Sequence, residues 1–199
     1  MRFFRRACAS TTRLAIFPGT FNPPTIAHEA MAMAAIPLVD EVLYVLPEAF
    51  PHKEYDTGAG FEDRIHLLLR MAEGTPCSVA STKGGLFIDI ARECRMAYGA
   101  ATQLYFLCGR DAAERIVMWD YGEPGAFARM LGEFELLVAG REGVYEAPAE
   151  FRSRIHNLNL DRDYSGCSAS QVRTRIARKE PWEHLVPAAI RDEVRRIYS

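Results

Sequence analysis

The period of the hydrophobic pattern changes repeatedly along this chain, and each change marks an element. Leu14-Ala-Ile-Phe17 is a short unbroken apolar run and predicts a first strand. Ile26 to Ile36, rich in Ala and Met and stopped by Pro37, predicts a helix. Glu41-Val-Leu-Tyr-Val-Leu46 predicts the next strand. From Phe61 to Glu73 the residues Ile65, Leu68, Leu69 and Ala72 fall on one helical face, with Gly74 as the stop. Cys77 to Ala80 predicts a short strand. Leu86 to Tyr98 predicts a helix carrying Leu86, Ile90 and Cys94 at helical spacing, and Gly99 follows it. Thr102 to Cys108, apolar and aromatic throughout, is the clearest strand; Phe134 to Ala139 is another, and the stretch from Ile155 to Leu160 alternates as an edge strand would. Ser168 to Lys179 and Ala188 to Tyr198 predict closing helices. Continuous apolar strands alternating with helices require an α/β fold: an open parallel sheet with helices on both faces. No repeat, low-complexity tract or linker divides the chain, which reads as one domain over residues 1–199 with a helical portion from about residue 165 onward.

Composition narrows the partners. A formal net charge of −2 gives no broad positive field, so neither nucleic acid nor an anionic membrane is expected as a partner. A polyphosphate ligand remains compatible, provided its cations are local and few. The five cysteines form no CxxC pair, and several lie in apolar runs such as Leu104-Tyr-Phe-Leu-Cys108. They are expected to be buried reduced thiols of a cytoplasmic protein, and no metal site is expected from them. No apolar run approaches the roughly 20 residues that span a bilayer. The basic start, Met1-Arg-Phe-Phe-Arg-Arg6, lacks an apolar core, so residues 1–12 are expected to be a frayed leader.

In an open parallel sheet, ligands bind beyond the carboxyl ends of the strands, in the strand-to-helix loops. The first such loop runs Phe17-Pro-Gly-Thr-Phe-Asn-Pro-Pro-Thr-Ile-Ala-His28. Gly19 permits a tight turn and close backbone approach, Pro23 and Pro24 stiffen the loop, and Thr25 occupies a helix N-cap position. Free N–H groups at that helix end attract phosphate, and His28 in the first turn adds a directional donor. By spacing alone, a plain Gly/Pro turn with an incidental histidine is an equal reading.

The residues become specific in combination. The first loop resembles the (H/T)xGH loop of the nucleotidylyltransferase superfamily, and Phe21-Asn-Pro-Pro24 resembles the wording of its nicotinate/nicotinamide mononucleotide adenylyltransferase family. Pro51-His52-Lys53, Phe61-Glu-Asp-Arg64, Gly109-Arg-Asp111, Trp119, Ala139-Gly-Arg141, Ser168-Ala-Ser-Gln-Val-Arg173 and His184-Leu-Val-Pro187 resemble further family motifs, in the family's order. Each is weak alone; the first loop and the Ser168–Arg173 motif together are strong.

The resemblance implies a Rossmann-like fold, ATP as a substrate and a phosphorylated small molecule as acceptor, nicotinate or nicotinamide mononucleotide, with Mg²⁺ carried by the nucleotide. It implies that Gly19, Thr20, Phe21, Thr25, His28, Gly109, Asp111, Ser168, Ser170 and Arg173 bind ATP. Of these, His28, Thr25 and Arg173 would act on the phosphates. His52, Lys53, Trp119 and Arg141 would serve the acceptor or the triphosphate. Plain capping is the competing role for Asp111, Ser168 and Ser170. The chain departs from the family pattern at Pro18, Thr25 and Ala27, the first two matching pantetheine-phosphate adenylyltransferases. At Ala27 a methyl group replaces a glycine where close ligand approach is expected. At Gly84-Gly-Leu-Phe-Ile-Asp89 the hydroxyls of an SYT-like stretch are missing. Phosphopantetheine as acceptor and a non-catalytic nucleotide-binding relative are the alternatives.

Overall fold

The computed structural model describes residues 1–49, 59–140 and 144–199. Its centre is a seven-stranded sheet in the order β1-β4-β3-β2-β5-β6-β7. The strands are β1 (Arg2–Arg5), β2 (Arg13–Pro18), β3 (Glu41–Pro47), β4 (Cys77–Thr82), β5 (Gln103–Gly109), β6 (Glu135–Ala139) and β7 (Ile155–Leu158). From β2 to β7 every pairing is parallel. Numbering those parallel strands from β2, their order is 3-2-1-4-5-6, the doubly wound arrangement, with its switch point between β2 and β5.

Period-2 alternation sends each strand's residues to two cores. Ala15, Phe17, Val42, Tyr44 and Leu46 face one side, under α1 (Ile26–Ala35) and α2 (Phe61–Ala72). Leu14, Ile16, Leu43, Val45 and Phe106 face the other, under α3 (Phe87–Tyr98), α4 (Arg110–Met118) and α5 (Ala126–Met130). Burial on both faces is why all seven residues of β3 are buried. Leu86, expected inside α3, is instead its N-cap and half exposed, and the helix buries Ile90, Ala91 and Cys94.

A third layer forms from α6 (Ala169–Ala177), a 3-10 turn at Ala188–Ile190 and α7 (Arg191–Tyr198). Val172, Trp182, Ile190 and Val194 share a core with Ala27 of α1 and Leu67 of α2. Thus α2 is sandwiched: Ile65, Leu68 and Met71 face the sheet while Leu67 faces the third layer.

The frayed leader expected over residues 1–12 is not what the structure holds. Arg2–Arg5 is a strand that pairs antiparallel with β4, from Arg2 opposite Ser81 to Arg5 opposite Val79. Arg5 also donates to the carbonyls of Cys77 and Thr75 at 3.1 and 3.2 Å. The Arg6 guanidinium lies 3.8 Å from the Phe3 ring centroid, so basic side chains cover aromatic ones instead of avoiding structure. The rest of this segment straps under the sheet: Ala7 N–H donates to Ser78, Thr11 to buried Glu41, and Thr12 and Arg13 to Asp40. All five cysteines are free thiols, and all but Cys8 are buried. Among the described residues, no helix is long and apolar enough to cross a membrane.

Candidate active site

The switch point puts two loops side by side: residues 19–25 after β2, and the junction of β5 with α4. The first loop leaves the sheet tightly. Gly19 N–H donates to the Val45 carbonyl at 3.1 Å, and Phe21 takes the left-handed conformation at φ 46°. That turn drives the Phe21 ring inward, 1% exposed, against Phe17, Tyr44 and His28 at centroid distances of 5.5, 5.7 and 5.2 Å. Asn22 follows, also buried, with a cis peptide to Pro23.

Thr25 is the N-cap of α1, as its position predicts. His28 turns back on it: Nδ1 accepts the Thr25 backbone N–H at 2.9 Å and lies 2.8 Å from the Thr25 hydroxyl. An acceptor role at Nδ1 leaves the proton of the neutral ring on Nε2. The ring is therefore set as an Nε2–H donor, with Phe17 and Phe21 as its apolar walls. Thr25 itself is fully buried, so its hydroxyl serves the histidine.

The Ser168–Arg173 motif reaches the same loop. Ser168 is the N-cap of α6 and accepts the Gln171 N–H at 3.2 Å, a capping role. Arg173 donates to Ser170 Oγ at 3.3 Å and to the Asn22 carbonyl at 2.5 Å. A guanidinium has five donors, so these two bonds leave others for an anion. The amino ends of α1 and α6 are joined through one residue of one loop, 151 positions from Arg173. Their placement on the same side of the sheet is the condition that a shared triphosphate demands.

Two more side chains converge there. Arg64, in the first turn of α2, donates to the Thr20 carbonyl at 3.2 Å and to the Gly60 carbonyl at 3.3 Å. Tyr198, from the last turn of α7, donates to Asn22 Oδ1 at 2.5 Å. Burial pushes the Tyr198 phenol up, while the nearby Arg173 and Arg64 guanidiniums pull the other way. Neither residue was expected in the site. Arg64 carried a signal, in the Phe61-Glu-Asp-Arg64 motif; Tyr198 carried none.

Ala27 does not stand over the loop. It is 3% exposed, and its methyl group packs into the third core with Leu67 and Val172. Gly109 caps α4, and Asp111 lies exposed in that helix's first turn at the switch point. Trp119 ends α4 and is half exposed, about 12 Å along the helix from Asp111 by the 1.5 Å rise per residue. His52, Lys53 and Arg141 lie outside the described residues. In the 84–89 stretch, Phe87, the first residue of α3, stacks on Phe106 at 4.3 Å, so that ring belongs to the core. A recess of about 350 Å³ opens beyond the carboxyl ends of β6 and β7, lined by Gly140, Val144, Asn157, Asn159 and Arg162. A larger one, about 650 Å³, lies between α6 and α7 against Trp182, Arg195 and Tyr198, and none of the expected site residues lines it.

A tight loop at the switch point of a doubly wound sheet, flanked by two capped helices, is the place where α/β proteins of this class receive a nucleotide. The comparisons with known proteins agree. Residues 16–175 match the model of the cytidylyltransferase-like family. A "Probable nicotinate-nucleotide adenylyltransferase" of Solibacter usitatus is 31% identical over 194 residues, covering 89% of this chain and 94% of that protein. A protein of the same name from Moorella thermoacetica is 27% identical over 200 residues, covering 92% and 89%. Plasmodium falciparum nicotinic acid mononucleotide adenylyltransferase, solved in complex with NaAD, superposes with TM-score 0.72 at 14% identity, over 93% of this chain and 95% of that one. The chain belongs to the cytidylyltransferase-like family, in its nicotinate-nucleotide adenylyltransferase group, and is a nucleotidyltransferase.

Proposed function

We propose that this enzyme transfers AMP from ATP to nicotinate mononucleotide, releasing pyrophosphate, as a step of NAD biosynthesis in the cytoplasm. The observation that carries the reading is the convergence of the α1 and α6 amino ends, with His28 and Arg173, on the 19–25 loop. An acceptor phosphate oxygen attacks the α-phosphorus of ATP, the bond to the bridging α,β-oxygen breaks, and pyrophosphate leaves with that electron pair. No covalent enzyme intermediate is needed. His28 Nε2–H donates to an α-phosphate oxygen as charge builds there. Thr25 orients the ring through Nδ1. Ser168, Ser170 and Arg173 hold the β,γ-phosphates at the α6 amino end. Gly19, Thr20 and Phe21 form the floor of the triphosphate site. Gly109 and Asp111 receive the ribose. Lys53, His52, Trp119 and Arg141 serve the acceptor side. The site's donors among the described residues are N–H, hydroxyl, imidazole and guanidinium groups, which suit anions; Mg²⁺ would be held by the nucleotide phosphates instead of by these side chains, and would supply charge neutralisation there.

The test is a panel. ATP or CTP is offered with nicotinate mononucleotide, nicotinamide mononucleotide or phosphopantetheine, and pyrophosphate is measured. Nicotinate mononucleotide with ATP is expected to be the best pair. His28→Ala is expected to lose roughly 10²-fold or more in turnover with its fold intact, the size of one lost transition-state donor. Wild-type turnover in that variant removes the histidine from the mechanism.

A further inference from the structure

We propose that Tyr198 is a positioning residue for the transfer reaction, its hydroxyl setting the phosphate-facing loop through the side chain of Asn22. The inference rests on the function proposed above. Asn22 is 1% exposed; its amide Oδ1 accepts from Tyr198, and its carbonyl accepts from Arg173. One residue earlier than Phe21, the Thr20 carbonyl accepts from Arg64. Carbonyl oxygens of a loop that must receive a triphosphate would repel it. Here the Thr20 and Asn22 carbonyls are each turned onto a guanidinium, and Tyr198 keeps the Asn22 side chain from rotating.

Tyr198 can do this because α7 is itself anchored. Val194 is fully buried in the third core, and Glu193 pairs with Arg70 of α2 at 3.3 Å. The helix that delivers Arg64 to the loop is thus the one on which α7 docks. Tyr198 acts through Asn22, to whose Oδ1 it donates.

The experiment uses the full chain and the Tyr198→Phe variant, which keeps the ring and deletes the donor. Arg196→Ala, on the exposed face of the same helix, is the control and is expected to match wild type. Native-state hydrogen exchange at Thr20, Phe21 and Asn22 is expected to rise roughly 10-fold in Tyr198→Phe, as a local opening. In pyrophosphate release, kcat is expected to fall roughly 10-fold while KM for ATP moves less than about threefold, the pattern of lost alignment. Adding Asn22→Ala to Tyr198→Phe is expected to lose no more than Asn22→Ala alone, because the two share one interaction. Wild-type kcat in Tyr198→Phe overturns the proposal, whatever the exchange shows, and so does simple additivity in the double variant. A wild-type chain that releases no pyrophosphate overturns the proposed function instead. The tether is then read on hydrogen exchange at Thr20, Phe21 and Asn22 alone, which rises in Tyr198→Phe if Tyr198 sets the loop and stays unchanged if it does not.

Discussion

Gly19→Ala probes how tightly the loop is built. A Cβ added at Gly19 would stand 2.8 Å from Phe21 Cζ, and 3.0 and 3.1 Å from Cε2 and Cε1. Ordinary contact begins near 3.4 Å, so the ring must retreat by about half an ångström. It has little room to do so. Phe17, Tyr44 and His28 pack around it, and it is 1% exposed. Overpacking of this kind costs about 1–3 kcal/mol. At about 2–4 °C per kcal/mol for a chain of this size, Tm should fall by roughly 2–12 °C. The retreat also pushes on His28. If a 1 Å misplacement costs about 10²-fold in rate, half of that costs about 10-fold. Thermal unfolding and pyrophosphate release at saturating ATP measure the two effects. Gly19→Ala/Phe21→Leu, which gives the new methyl space, should recover part of the lost rate. A single variant with wild-type Tm and wild-type turnover would refute the packing account of this loop.

Two predictions concern the rest of the chain. Asp40 accepts from Thr12 N–H, Thr12 hydroxyl, Arg13 N–H and the Arg13 guanidinium, and these bonds, led by the Thr12 hydroxyl, hold its carboxyl well below the usual range. A lowered folded pKa gives stability that is present above the unfolded value, about 3.9, and is lost as pH falls through the folded one. Asp40→Asn should therefore lower Tm at pH 7, with a gap that narrows below about pH 4; a gap that widens in acid would contradict the assignment. Burial pushes the Cys108 thiol up to about 12 and raises Cys94 and Cys77 as well. A thiol reagent at pH 7.5 (roughly one unit below a free thiol's pKa) should label at most Cys8 in the native chain and all five thiols after denaturation. More than one label per native molecule in a mass spectrum would show that the cores open.

Much of the active loop is local chemistry. Thr25 as cap with His28 three residues on, and Ser168 as cap with Ser170 and Arg173 following it, are spacings along the chain, and hydrogen bonds within one turn follow from spacing; the inward turn of Phe21 is not among them. The strands of both cores are equally legible, because a residue buried on a sheet face leaves its mark every second position. Leu86 was misplaced only because an apolar residue at a helix start looks like one inside it.

What the sequence by itself determined was most of these strands and helices and the capping residues at their ends. Tertiary structure alone decided that Arg173 would grip Asn22 across 151 positions, that Tyr198 would reach it across 176, and that Arg2–Arg5 would become an edge strand on β4. A hydrogen bond between two side chains depends on a few tenths of an ångström at its own ends. It leaves no periodic trace in the residues between them. Nor does a basic, aromatic four-residue run announce a strand until another strand's free edge, and rings to cover, are folded beside it.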